Sequence, residues 1–398
     1  MELNQTQKTL LGVVAQALTG TEYDIPKDTD WVALFAESKA QAVAPLVFSC
    51  VSEKCTDTEV FQKWKSLTMR TFQRNMQIQW QHGALHQLLT EYNIPYCIIK
   101  GCTSAMDYPD PLLRAMGDVD FLVPDAFWDT AKQVLLEEGF SCSGEEHAFH
   151  LAFYKESIAM EMHHEPFGLK EGGQELLKVV PELIDNSILV HCGSVSFNMP
   201  DAFGHGIVIL LHAYRHLIDN GVGVRHLCDW ATFISKFTNQ EFVAIFQERF
   251  QKLGIWKLAQ VFGATAHRYL AIPYQEWMGT VDEDVCLMLM LDIFNGGNFG
   301  RGDGERSTQN LSIFYKEKRL SNGDSVADLL RGLNQTAIQR YPRLMKCRIL
   351  HPFGWMILGV RYVFRVLTGR RKKVPAGTMQ MISLRKNLYQ KLEVFDNK

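Results

Sequence analysis

The sequence predicts an α/β (α+β) protein in which a small sheet core, residues 94–200, lies between helical regions 1–93 and 201–398. Three observations carry this expectation. Residues 60–92, "VFQKWKSLTMRTFQRNMQIQWQHGALHQLLTEY", contain no proline and place apolar residues at helical spacing over many turns. At Pro95 the pattern changes to short apolar runs bounded by glycine, "YCIIKG" and "GDVDFLV" (117–123). From Asp201 the helical period returns in "DAFGHGIVILLHAYRHLID" and "VRHLCDWATFISKF".

Each core element has its own signal. "YCIIKG" reads as a buried strand that Gly101 ends, and "GDVDFLV" reads as the next strand. Pro124 and Asp125 open an amphipathic helix with Phe127, Ala131, Val134 and Leu135 on one face and Gly139 as its stop. Within 150–165, Ile158, Met160 and Met162 alternate with Ala159, Glu161 and His163, the period of a third strand. "ILVHCGSVSFNMP" (188–200) reads as a further strand pair or edge. The glycine-rich "NGGNFGRGDGERS" (295–307) lacks the GK[ST] of a P-loop and reads as a loop, with Arg301 a lid residue.

Composition narrows the function classes. A hydrophobic content of 46% with a net charge of −3 describes a folded chain without overall attraction to nucleic acid. Nine cysteines, an odd number without a CxxC, argue against a disulfide framework or zinc ribbon. The first residues lack a basic region and a small-residue cleavage site, so no signal peptide and a reduced, cytoplasmic setting are expected. No apolar run reaches the ~20 residues of a spanning helix. The nearest, 349–373, is interrupted by Arg361 and Arg365 and ends in Arg370, Arg371, Lys372 and Lys373. It reads either as a packed C-terminal helix with a solvated basic end or as a peripheral contact with an anionic membrane surface.

The chemistry concentrates in the second strand. Asp118 and Asp120 lie two residues apart, so both carboxylates point to one side, ~6.5–7 Å apart at the backbone, while Val119, Phe121 and Val123 face the core. Adjacent carboxylates raise each other's pKa, and a divalent cation such as Mg²⁺, which prefers hard oxygen ligands, relieves that. Glu161, on the polar face of its own strand, is placed to complete a site for two metal ions. Gly101 lets the backbone approach a phosphate, and the following turn offers free N–H groups with Thr103 or Ser104 as hydroxyl donors. Lys100 and Arg114 bring positive charge to the same neighbourhood.

The histidines are weaker signals. His163 shares the Glu161 face and is expected to orient a ligand, whereas His164 points the other way. His205, His212 and His216 fall near one helix face without an HExxH pattern, as either a helix interface or a cleft wall. Arg225 either contacts a phosphate or pairs with Asp229 four residues on.

Together these residues resemble an uncharacterised nucleotidyltransferase family of the DNA polymerase β-like superfamily. The resemblance rests on Lys100-Gly101, Tyr108-Pro109, Arg114, Gly117-Asp118-x-Asp120, "MEMHHE" and the segment 205–234, and covers about residues 95–235. It implies a short mixed sheet flanked by helices and Mg²⁺-dependent transfer of a nucleoside monophosphate from an NTP to an acceptor. It further implies Asp118, Asp120 and Glu161 as ligands of two Mg²⁺ ions, and Gly101, Cys102, Thr103 and Ser104 as the phosphate turn. The superfamily's usual Gly-Ser or Gly-Gly is here Gly101-Cys102, and the third carboxylate is Glu rather than the frequent Asp. A small molecule, sugar or protein hydroxyl is the expected acceptor. The rival expectation is a nucleotide- or partner-binding protein on the same fold, without catalysis.

Overall fold

Four helices open the chain in the computed structural model, each begun by a local sequence signal. Asn4 closes a capping box on α1 (Gln5–Thr19), and Asp30 accepts from Ala33 N–H to start α2 (Trp31–Ala40). Pro45 sits in the first turn of α3 (Ala44–Ser52). Asp57 accepts from the N–H groups of Glu59 and Val60 and begins α4 (Thr58–Glu91), a 34-residue helix that realises the long period expected at 60–92. The structure describes residues 1–142, 150–155, 158–169, 173–298, 337, 341, 351–367 and 378–395. It divides into two compact units, Met1–Arg301 with Lys391–Lys398, and Gly302–Gln390.

The first unit holds a five-stranded sheet built from β1 (Cys97–Ile98), β2 (Val119–Leu122), β3 (Ser141–Cys142), β4 (His150–Lys155) and β5 (Ile158–His163). The strand order is β1-β2-β5-β4-β3, with β2 and β5 parallel and every other pair antiparallel. A parallel pair needs a crossover, and α5 (Cys102–Ala105) precedes β2 while α6 (Trp128–Glu137) supplies the helix between β2 and β5. Val119, Phe121 and Val123 join Met160, Met162, Leu151 and Phe153 in a buried cluster that also takes Ile78, Leu85 and Leu89 of α4 and Ala131, Val134 and Leu135 of α6. Since side chains alternate along a strand, Asp120, Glu161 and His163 take the other face. The 150–165 segment thus forms a hairpin of two strands, where one was expected. The helix after Pro124 starts at Trp128, behind a single 3-10 turn at Asp125–Phe127.

Two short helices, α7 (Gly173–Leu177) and α8 (Val180–Asp185), lead to a separate two-stranded antiparallel sheet of β6 (Ile188–Cys192) and β7 (Val195–Met199). This is the strand pair expected at 188–200, and β7 packs against α4 and β1. Helices then resume with α9 (Ala202–Ile218), capped by Asp201, and α10 (Val224–Ile234). After them come α11 (Asn239–Phe242), a π turn at Val243–Gln247, α12 (Glu248–Lys252), α13 (Trp256–Leu270) and α14 (Glu283–Gly296).

Gly296 closes α14 and Gly297 follows at φ 65°, while Arg301 and the rest of the glycine-rich stretch lie outside the described residues. Residues His351–Leu367 form a helix that exposes Phe353, Met356, Ile357 and Val360; Arg370 to Lys373 lie outside the described residues. Among the described residues no helix is long and apolar enough to cross a membrane. The described cysteines are all free thiols.

The position of α9 is set by close packing. A Cβ at Gly206 would lie 2.7 Å from the Phe246 ring and 2.8 Å from the Phe233 ring, so the absence of a side chain lets α9 approach them. Gly206→Ala is expected to cost about 1–3 kcal/mol through overpacking. A urea unfolding midpoint equal to that of the parent chain would show that the rings yield instead.

Candidate active site

The two strands that run parallel set the floor of the site. Asp120 of β2 pairs directly with Glu161 of β5, and Leu122 with His163. This register brings the Asp120 and Glu161 carboxylates and the His163 ring to one face, with one ligand-capable atom from each within 4.8 Å of the others. Asp118 lies just before β2. Its carboxyl is pushed up to about 7, first by the Asp120 charge and then by burial and Glu161, against the pull of Lys100 and Arg225. The three carboxylates expected from the sequence therefore act on one another.

Asp120 is the innermost of them. Its Oδ1 accepts from Lys100 Nζ at 2.9 Å and lies 2.8 Å from His163 Nε2. Burial alone would raise its pKa, but Lys100 and His163 outweigh burial and hold it below the usual carboxylate range. His163 Nε2 also approaches Glu161 Oε2 at 3.5 Å, and this contact lowers the Glu161 pKa despite partial burial. Burial would depress His163, yet Asp120 and Glu161 raise it above its ordinary value. His164, on the opposite face as expected, stacks on Trp128 with ring centroids 3.4 Å apart and bonds Asp125 at 2.7 Å.

The glycine turn lies alongside. Gly101 adopts φ 74°, a left-handed conformation that favours glycine, and a Cβ there would lie 3.4 Å from the Asp118 carbonyl and 3.5 Å from His82 Nε2. Cys102 turns its thiol inward, 3.5 Å from His82 Nδ1 and 3.9 Å from Met116 Sδ. Thr103 is fully buried and Ser104 nearly so. The Thr103 hydroxyl is buried without a hydrogen-bond partner in the described structure.

Arg114 occupies a different place from the one expected. Its Nε and Nη2 donate to the two carboxylate oxygens of Asp229, both at 2.7 Å, and its Nη1 donates to the Gly101 carbonyl at 3.2 Å. Tyr108 Oη donates to the same Asp229 at 2.6 Å. With 4% of its surface exposed and its planar fork filled, Arg114 is a strut that ties the glycine turn to α10, not a surface for phosphate. Asp229 is thereby taken by Arg114, so of the two readings of Arg225 the pairing with Asp229 is not the one formed. Arg225 instead sends Nη1 to the Ala115 carbonyl and Nη2 to Asn298 Oδ1, each at 3.4 Å, and its charge acts on Asp118.

Several supports were not foreseen from the sequence. Asn75 Nδ2 donates to the carbonyls of Leu112 and Arg114, both at 2.7 Å, and Arg74 Nη2 to the Gly117 carbonyl at 3.0 Å. His82, fully buried under Gly101, donates from Nδ1 to the Ile78 carbonyl at 2.7 Å, and burial drives its pKa down to about 4. Gln41 anchors the start of α10, its side chain accepting from Val224 N–H at 3.0 Å and its carbonyl from Arg225 N–H at 3.3 Å. Polar residues on the buried side of α4 are the one local sign of such a role.

A family described as uncharacterised nucleotidyltransferases matches residues 27–271, more than half of the 398-residue chain. The chain belongs to this family. The match includes the carboxylates, the glycine turn, Arg114 and Arg225, and the five-stranded mixed sheet agrees with the α+β class. No curated protein matches the chain.

Two outcomes follow for this member of the family. Asp229→Ala leaves the Arg114 charge and the Tyr108 hydroxyl buried without their acceptor, and should cost about 3–5 kcal/mol in urea unfolding. A loss under about 1 kcal/mol would show that water replaces the carboxylate. The second outcome concerns Asp118. Between the ordinary carboxylate pKa of 3.8 and about 7 the folded chain holds a proton there that the unfolded chain has released, so stability falls as pH rises through that window. In metal-free buffer, Asp118→Asn should lose less stability than the parent between about pH 4 and about pH 8. Identical pH profiles would refute the raised carboxyl.

Proposed function

We propose that the chain transfers a nucleoside monophosphate from an NTP to an acceptor that is a small molecule, a sugar or a protein hydroxyl. One observation carries this reading: the parallel register of β2 and β5 sets Asp120 beside Glu161, with Asp118 and the Gly101 turn adjacent. The donor set suits hard divalent cations. Carboxylate oxygens of Asp118, Asp120 and Glu161 would hold two Mg²⁺ ions, and the mutual repulsion that lifts the Asp118 pKa is the kind that bound cations relieve. Bound there, the ions would neutralise charge on the triphosphate and lower the pKa of the acceptor hydroxyl.

The chain's own residues do the rest. His163 holds the Asp120 and Glu161 side chains in place through its ring nitrogen. Lys100 neutralises Asp120 in the ligand-free protein, and its ammonium is available to the nucleotide phosphates once cations take over that carboxylate. In this reading the N–H groups of Cys102, Thr103 and Ser104 at the start of α5 would donate to a phosphate. Arg225 adds a guanidinium held at the start of α10. Arg114 fixes the turn from behind.

Calorimetric titration with Mg-ATP, together with transfer of label from α-phosphate-labelled NTPs to candidate acceptors, tests this reading. The parent is expected to bind and transfer, and the Asp118→Ala, Asp120→Ala double variant to lose transfer by at least about 10²–10³-fold. Binding in both proteins with no transfer by either would assign the chain to nucleotide binding without catalysis.

A further inference from the structure

The helix His351–Leu367 turns an apolar stripe outward. Phe353, Met356, Ile357 and Val360 are 54%, 57%, 37% and 62% exposed, and their helical spacing puts them on one side. The opposite side is filled from within the same unit. Leu358, 9% exposed, forms a cluster with Ala337, against which Tyr341 and Trp355 pack, and Arg361 donates to Tyr341 Oη at 2.5 Å. The helix is thus held by one apolar side while a second meets water. Apolar residues scattered singly over a surface need no explanation, but four neighbours on one helix face mark a contact.

Charge along the chain identifies the partner. Residues 329–392 contain 14 Lys and Arg and no Asp or Glu, whereas the whole chain has 41 against 44. The stripe therefore sits inside a strongly basic stretch of an otherwise acidic chain, and Arg361, exposed beside Val360, carries one of these charges. A second copy of the chain would bring the same positive charge to the contact, so like charges would oppose the pairing of two such faces. Nucleic-acid phosphates would meet the cations but leave Met356, Ile357 and Val360 in water. An anionic lipid surface supplies both partners at once, acyl chains for the stripe and headgroup charge for the cations.

Length and packing fix the orientation. The helix has 17 residues. At ~1.5 Å each they span ~26 Å, short of the ~30 Å hydrocarbon core. Among the described residues no helix is long and apolar enough to cross a membrane. With its other side packed on Ala337 and Tyr341, this one is suited to lie along the surface, its stripe ~5–10 Å into the boundary between headgroups and acyl chains.

We propose that the helix His351–Leu367 docks the protein on an anionic lipid surface, with Phe353, Met356, Ile357 and Val360 inserted and Arg361 at headgroup level. It does so whether or not the chain transfers nucleotides.

The test is co-sedimentation of the full chain with vesicles of phosphatidylcholine alone or mixed with an equal part of phosphatidylglycerol. Binding to the anionic vesicles is expected to be at least about tenfold tighter than to phosphatidylcholine, and to weaken as salt is raised. Met356→Gln with Val360→Gln should weaken it at least about tenfold further, because two inserted apolar side chains are lost. Both are more than half exposed, so their exchange leaves the packed side of the helix intact. Equal binding to the two vesicles, binding that the double variant retains, or no binding at all overturns the assignment. Hydrogen–deuterium exchange on the parent needs no variant. Peptides covering 351–361 should exchange severalfold more slowly with anionic vesicles, and unchanged exchange in a sedimenting chain places the contact elsewhere. Sedimentation velocity without lipid decides against a second copy: a dimer that the double variant dissociates would give this face to the dimer and end the lipid assignment.

Discussion

The buried charge of Asp120 is the constraint around which the rest of the site is arranged. A carboxylate taken out of water stays ionised only if cations or donors replace its hydration. Lys100 and His163 both meet the same oxygen of Asp120, one from the end of β1 and one from β5. Both must therefore arrive in register, which fixes β1 against β2 and β2 against β5. The apolar residues between them, Val119, Phe121, Met160 and Met162, are held to the opposite face by the same alternation. Asp118 then carries the excess. With Asp120 ionised beside it, its own ionisation is disfavoured, and the pair is poised to accept positive charge from outside.

A second buried ion pair holds the loop between the glycine turn and β2. Arg114, Asp229 and Tyr108 form a closed set in which every charged or polar group that Asp229 meets is a donor. Buried pairs of this kind contribute little net stability against an apolar substitute, so position is the better explanation for this one. It connects three elements far apart in sequence: the carbonyl of Gly101, the loop through Arg114, and α10. Asn75 and Arg74 grip the same loop from α4. The result is that the turn, the loop before β2 and Arg225 share one hydrogen-bonded frame.

Much of that frame could be read from the sequence where the signal is local. Alternation over 118–123 and 158–163 assigns faces without any knowledge of partners, because the period of a strand is a property of its own backbone. It placed Asp118, Asp120, Glu161 and His163 together and His164 apart. Arg114 shows where local reading stops. A loop arginine looks the same whether its fork meets a ligand or a carboxylate 115 residues away. His82 and Gln41 were invisible for the same reason, as each acts across the fold from inside an ordinary helix pattern. The hairpin of β4 and β5 was read as one strand because residues 150–155 mix apolar and polar side chains without the clean period of 158–163.

Lys100 joins these observations into one electrostatic order. It binds Asp120 directly, and its charge also bears on His163, His212 and His216. The groups its charge reaches are of two kinds, the Asp120 carboxylate and imidazoles on β5 and α9. One ammonium thereby helps hold Asp120 ionised and opposes protonation of the histidines its charge reaches.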